Sequence, residues 1–100
     1  MSDDLQKKIT TLVVENFYDL SMQKYASNVV DKCIHRLSKE HIATIIDNLT
    51  DNLKDTRIAN LIISDYANFV IKNLFSRNKQ IKSVPFLDKM EESLKILNMM

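Results

Sequence analysis

Tyr25-Ala26-Ser27-Asn28-Val29-Val30-Asp31-Lys32 and Tyr66-Ala67-Asn68-Phe69-Val70-Ile71-Lys72-Asn73 align without a gap, and the reading of the fold follows from that match. The offset from Ser27 to Asn68 is 41 residues, inside the range of periods that marks stacked structural repeats. Apolar positions agree in the two copies, whereas the residues that differ most are the polar ones between them. A constant scaffold carrying variable side chains is the pattern of a surface that reads something.

Working outward, apolar residues recur at helical intervals along the whole chain. Ile9, Leu12, Val13, Phe17 and Leu20 predict a helix over about 4–19, with Asp3 or Asp4 as its cap. After a connector at 20–24, a second helix is expected over about 25–36, with Tyr25, Val29 and Cys33 on one apolar stripe and Ala26, Val30 and Ile34 beside it. Ser38 reads as the cap of a third helix carrying Ile42, Ile45, Ile46 and Leu49. The pattern then restarts. Asp55 is placed to cap a helix reaching about Ser64, and another is expected over about 66–76. Val84 precedes proline and is pushed from the α region, while Pro85 suits the first turn of a last helix. The expectation is an all-α chain of about six short helices.

Composition excludes several classes. The 100 residues are 45% hydrophobic and 27% charged, with one Pro, one Cys and no Gly. That is the make-up of an ordinary globular chain, long enough to bury roughly 60–70% of its unfolded surface. Without glycine there is no phosphate-cradling loop and no nucleophile elbow. No Cys/His cluster suggests a metal, no nucleophile–base pair suggests an enzyme, and no cofactor is implied. No aliphatic run is long enough to span a membrane and no secretory leader is visible, so a cytoplasmic chain is expected. A net charge of +1 is low for a protein that grips nucleic acid chiefly through phosphates.

The chemistry lies on the matched helices. Ser27, Asp31 and His35 lie one turn apart on one face with Asn28 alongside; Asn68, Lys72 and Ser76 do the same with Phe69 alongside. Each face offers two hydrogen-bonding groups, able to span a base edge, and one side chain able to pack on a base. The bland alternative is a solvated helix face.

The segments 22–33 and 65–72 resemble the base-reading helices of the last two repeats of a Pumilio-type (PUF) domain, and the similarity extends over about residues 5–82. The resemblance implies an α-solenoid, an armadillo-like superhelix, of which this chain is a fragment of two three-helix PUF-type repeats. One repeat is assigned to 1–51, with its reading helix at about 25–36. The other is assigned to 52–84, with its reading helix at about 66–76, and 85–100 to an incomplete C-terminal capping helix. It also implies one base per repeat, and RNA-binding positions at Ser27, Asn28, Asp31, Asn68, Phe69 and Lys72.

In such domains a Ser with an acid four residues later reads guanine. Ionised Asp31 only accepts, and guanine offers adjacent N1–H and N2–H donors. The family usually has Glu there. Asn68 matches a uracil reader whose usual partner is Gln, where this chain has Lys72, and Phe69 stands where the family has a stacking aromatic. The function implied is sequence-specific binding of single-stranded RNA, on UG-starting elements of mRNA 3′-untranslated regions, by a post-transcriptional regulator. Regulatory proteins on the outer face are further expected partners. A protein-interaction solenoid without specific RNA binding is the alternative.

Magnitudes set the scale. A base contact contributes roughly 1–3 kcal/mol and stacking roughly the same, against an association cost of roughly 4–15 kcal/mol. Two repeats alone are expected to bind RNA weakly, and the chain to be part of a larger array.

Overall fold

The computed structural model describes residues 2–99; Met1 and Met100, the outermost residues of the first and last segments assigned from sequence, lie outside the described residues. Six helices follow in order: α1 Asp3–Ser21, α2 Lys24–Arg36, α3 Lys39–Asn52, α4 Asp55–Ile63, α5 Asn68–Ile81 and α6 Val84–Met99. Among the described residues there is no strand. The all-α expectation is met, and the molecule is elongated, 44 × 29 × 20 Å.

The helices form two sets of three. In the first, α1 packs against both α2 and α3; in the second, α4 packs against both α5 and α6. The sets join because α5 lies against α2 and α3, with α3 also touching α6. Helix α6 therefore stands to α4 as α3 stands to α1. It packs against α4 and α3 and makes up a second triad with α4 and α5. Cross-helix polar contacts mark the equivalence: His41 on α3 meets Asp3 on α1 at 3.1 Å, and Lys89 on α6 meets Asp55 on α4 at 3.0 Å.

One core runs through both triads. Val13 and Phe17 on α1, Val30 and Ile34 on α2, and Ile42, Ile45, Ile46 and Leu49 on α3 are buried. They continue into Ile58 and Leu61 on α4, Val70, Ile71 and Leu74 on α5, and Phe86 and Met90 on α6. The i, i+3, i+4 spacing of these residues gives each helix a single buried stripe. On α2 the stripe is narrower than the sequence pattern predicts. Val30 and Ile34 are buried, but Tyr25 is 76% and Val29 62% exposed.

Helix ends account for the remaining differences. The N-cap of α1 is Ser2, whose hydroxyl accepts from the Leu5 amide at 3.2 Å, so Asp3 and Asp4 fall in the first turn instead. Lys54 occupies the N-cap of α4, with Asp55 one residue inside. Asn16 breaks helical geometry inside α1 (φ −128°, ψ 21°), and its side-chain amide donates to the Leu12 carbonyl at 3.1 Å. A polar side chain competing for a helical carbonyl bends a helix in this way.

Helix α5 starts later and ends later than the pattern predicts. The Ser64 hydroxyl accepts from the amides of Tyr66 and Ala67, holding 65–67 as a turn, so the helix begins at Asn68. At its far end Lys82 adopts the left-handed conformation (φ 60°), a place usually given to glycine. The Asn78 side chain secures that end, donating to the Ser83 carbonyl and accepting from the Ser83 amide.

Ile34 is fully buried beside the junction of the triads. Ile34→Ala is expected to lower unfolding free energy by about 2–5 kcal/mol, measured by urea denaturation, with the helical circular-dichroism signal retained in the absence of urea.

Candidate nucleic-acid interface

The side chains singled out by sequence sit on α2 and α5, which pack against one another. Val30 and Ile34 on α2 and Ile71 on α5 are buried in the core, whereas Asn28, Phe69 and Lys72 remain exposed.

Their environments differ sharply. Ser27 is 3% exposed, and its hydroxyl donates to the Lys24 carbonyl at 3.1 Å. Asn28 is exposed, with its amide nitrogen 3.4 Å from the same carbonyl. Asp31 is half-buried; one carboxylate oxygen accepts from the Asn73 side-chain amide of α5, and the other lies 3.8 Å from Nε2 of His35. Asn68, the first residue of α5, donates from Nδ2 to the Ser64 carbonyl at 2.5 Å. Phe69 is 56% exposed. Lys72 is exposed and, with Asn68, Ile71 and Phe75, lines a groove of about 340 Å³ at the outer side of the second triad.

The two motifs are thus not conformational copies. Ser27 stands inside α2, whereas its counterpart Asn68 opens α5. Asp31 faces the other triad, whereas its counterpart Lys72 faces away from it. Exposed cations at Lys24, Lys32, Arg36 and Lys72 lie on the same two helices.

Two residues that join α5 to α2 carry no role in the sequence pattern: Asn73, present only as part of the aligned repeat, and Arg77. Asn73 bonds Asp31 across the junction. Arg77 donates to the Ile34 carbonyl at 2.7 Å and the Leu37 carbonyl at 2.9 Å, with the His35 carbonyl at 3.5 Å. The signal for both was the four-residue spacing Phe69, Asn73, Arg77. It was cut short by ending the helix near Ser76.

Among the described residues no group of three or more His, Cys, Asp or Glu side chains is placed to hold a metal ion. Nor is any helix among them long and apolar enough to cross a membrane.

Arg77→Lys should fail to replace the forked donation to two carbonyls. Loss of charge-assisted bonds is expected to lower stability by about 1.5–3 kcal/mol in Arg77→Met, with Arg77→Lys close to it, both read from urea midpoints.

Comparison with known proteins accords with this architecture. Residues 16–50 match the family model of the Pumilio-family RNA binding repeat (PUF). That match starts at the Asn16 break and covers the rest of α1, α2 and most of α3. Pumilio homolog 12 of Arabidopsis thaliana is 36% identical over 64 residues, which is 64% of this chain and 10% of that protein. The chain thus spans about a tenth of the length of the curated relative it matches. No solved structure matches it. A matching repeat over residues 16–50, a Pumilio relative over 64 residues and two stacked helical triads all point to the Pumilio/PUF repeat family.

Proposed function

We propose that the chain binds single-stranded RNA on the α2/α5 surface and contributes to sequence-specific recognition of mRNA 3′-untranslated regions in the cytoplasm. Its match to a Pumilio-family RNA binding repeat carries this reading. No catalytic role or cofactor enters it.

In the proposed complex Asp31 accepts from N1–H and N2–H of guanine. A carboxylate has about four acceptor sites, so the bond from Asn73 leaves capacity for a base. Ser27 supplies its hydroxyl only after that group turns from the Lys24 carbonyl, so guanine selection rests chiefly on Asp31. With Asn68 Nδ2 committed to Ser64, its Oδ1 is the acceptor for N3–H of uracil, while Lys72 donates to O4 or to a phosphate. Asn28 and Phe69, both exposed, pack against bases; an aromatic ring suits this because every base has a π face. The two triads would then be two base-reading repeats, 3–52 and 55–99, each contributing one nucleotide. Regulatory proteins would meet the outer face.

Competition binding with short RNAs carrying UG or UU tests the reading. The double variant Ser27→Asn/Asp31→Gln is expected to shift preference from G to U, a change of roughly 1–3 kcal/mol. Phe69→Ala should weaken both RNAs about equally, by roughly 1–3 kcal/mol. An unchanged base preference in the double variant would overturn the assignment of Asp31.

A further inference from the structure

The two carboxylate oxygens of Asp31 keep different company. One accepts from the Asn73 side-chain amide of α5, which restrains the orientation of the carboxylate. The other faces Nε2 of His35, one helical turn further along α2, at 3.8 Å. That separation is too long for a hydrogen bond and short enough for attraction once the ring carries a charge. His35 is exposed and stands in the last turn of α2, where the helix dipole favours a cation. Its counterpart 41 residues on is Ser76, and the counterpart of Asp31 is Lys72. The second motif therefore has no such pair.

The other charges around His35 do not stand in for Asp31. On α2 itself they are the cations Lys32 and Arg36. From α5, Arg77 reaches the His35 carbonyl at 3.5 Å, again a cation. On α1, Asp3 is engaged by Lys7 and by His41. Among the described residues Asp31 is the one acid within ion-pair distance of His35.

Guanine brings two donors side by side, and their bonds to an ionised acceptor are charge-assisted. With His35 neutral, Asp31 offers a full negative charge and an uncontested second oxygen. With His35 protonated, the imidazolium donates toward that oxygen and offsets much of the charge the base would meet. Uracil brings a single N–H between two carbonyls, so a cation beside the carboxylate favours it while it handicaps guanine. We propose that His35 is a specificity-determining residue of the Asp31 position, which prefers guanine while His35 is neutral and loses part of that preference when His35 takes a proton. This rests on the guanine reading of Asp31 and adds its regulation by pH.

Competition binding of the full chain to UG and UU RNAs at about pH 7.5 and about pH 5.5 spans the range in which histidine changes charge. The ratio of the two affinities is the readout, because an added positive charge strengthens any RNA through its phosphates and cancels in the ratio. The UG preference is expected to fall about threefold at the lower pH, the size of a partly exposed ion pair. His35→Gln should hold the ratio constant across the range. His35→Lys, charged throughout, should show the reduced preference at both pH values. His41→Gln removes the other histidine of the chain, which lies against Asp3, and should keep the full response. A UG preference equal at both pH values overturns the inference and leaves the guanine reading standing. So does a fall that persists in His35→Gln, or an undiminished preference in His35→Lys. No UG preference at either pH overturns both.

Discussion

The carbonyl end of α2 is the constraint on which the two-triad arrangement depends. A helix C-terminus leaves its last carbonyls without intrahelical donors, and many chains answer with a glycine in a left-handed cap. This chain has no glycine, and Leu37 beyond α2 is extended and buried. Water cannot easily serve carbonyls pressed into a junction. Arg77 serves them from the next triad, holding the Ile34 and Leu37 carbonyls at once. One side chain thus ends a helix and fixes the second triad against the first. With that register set, Asn73 meets Asp31, and Val70 and Leu74 join the common core.

The sequence made the helices legible because each buries a single stripe, and periodicity reports stripes directly. It was less informative at helix ends, which depend on single hydrogen bonds. The Ser64 hydroxyl delays α5 to Asn68, and Asn78 with Lys82 carries it to Ile81; neither event has a periodic signature. Val29 and Tyr25 were read as part of a buried stripe because the apolar pattern is the same whether or not a neighbouring helix covers it. Positions of the base-reading candidates followed from the repeat, but their states did not. The engagement of Asp31 by Asn73 is a contact between residues 42 apart, which no local pattern encodes.

The two ends of the molecule are chemically unlike even though one repeat generates both. At the α1/α2 end, cations flank an apolar groove. At the other, Lys72 and the prolonged α5 replace the acceptors that α2 presents internally. A heterologous contact propagates indefinitely when both faces are complementary and closure is not imposed. Here Lys32 on one face and Lys72 on the other carry like charge, which opposes end-to-end polymerisation. Near-neutral net charge agrees with this, since local charges are disposed by position rather than accumulated.

The Asp31–Asn73 bond has a consequence for how separable two neighbouring repeats are. In the proposed complex, a base donating to Asp31 would draw on a carboxylate that the second triad also uses, so its binding free energy would include any change in that bond. By linkage, whatever strengthens or relaxes Asn73 on α5 alters affinity at Asp31, and the reverse holds equally. On the proposed reading, the letters of such an array would not be independent: substituting one repeat would change the grammar of its neighbour.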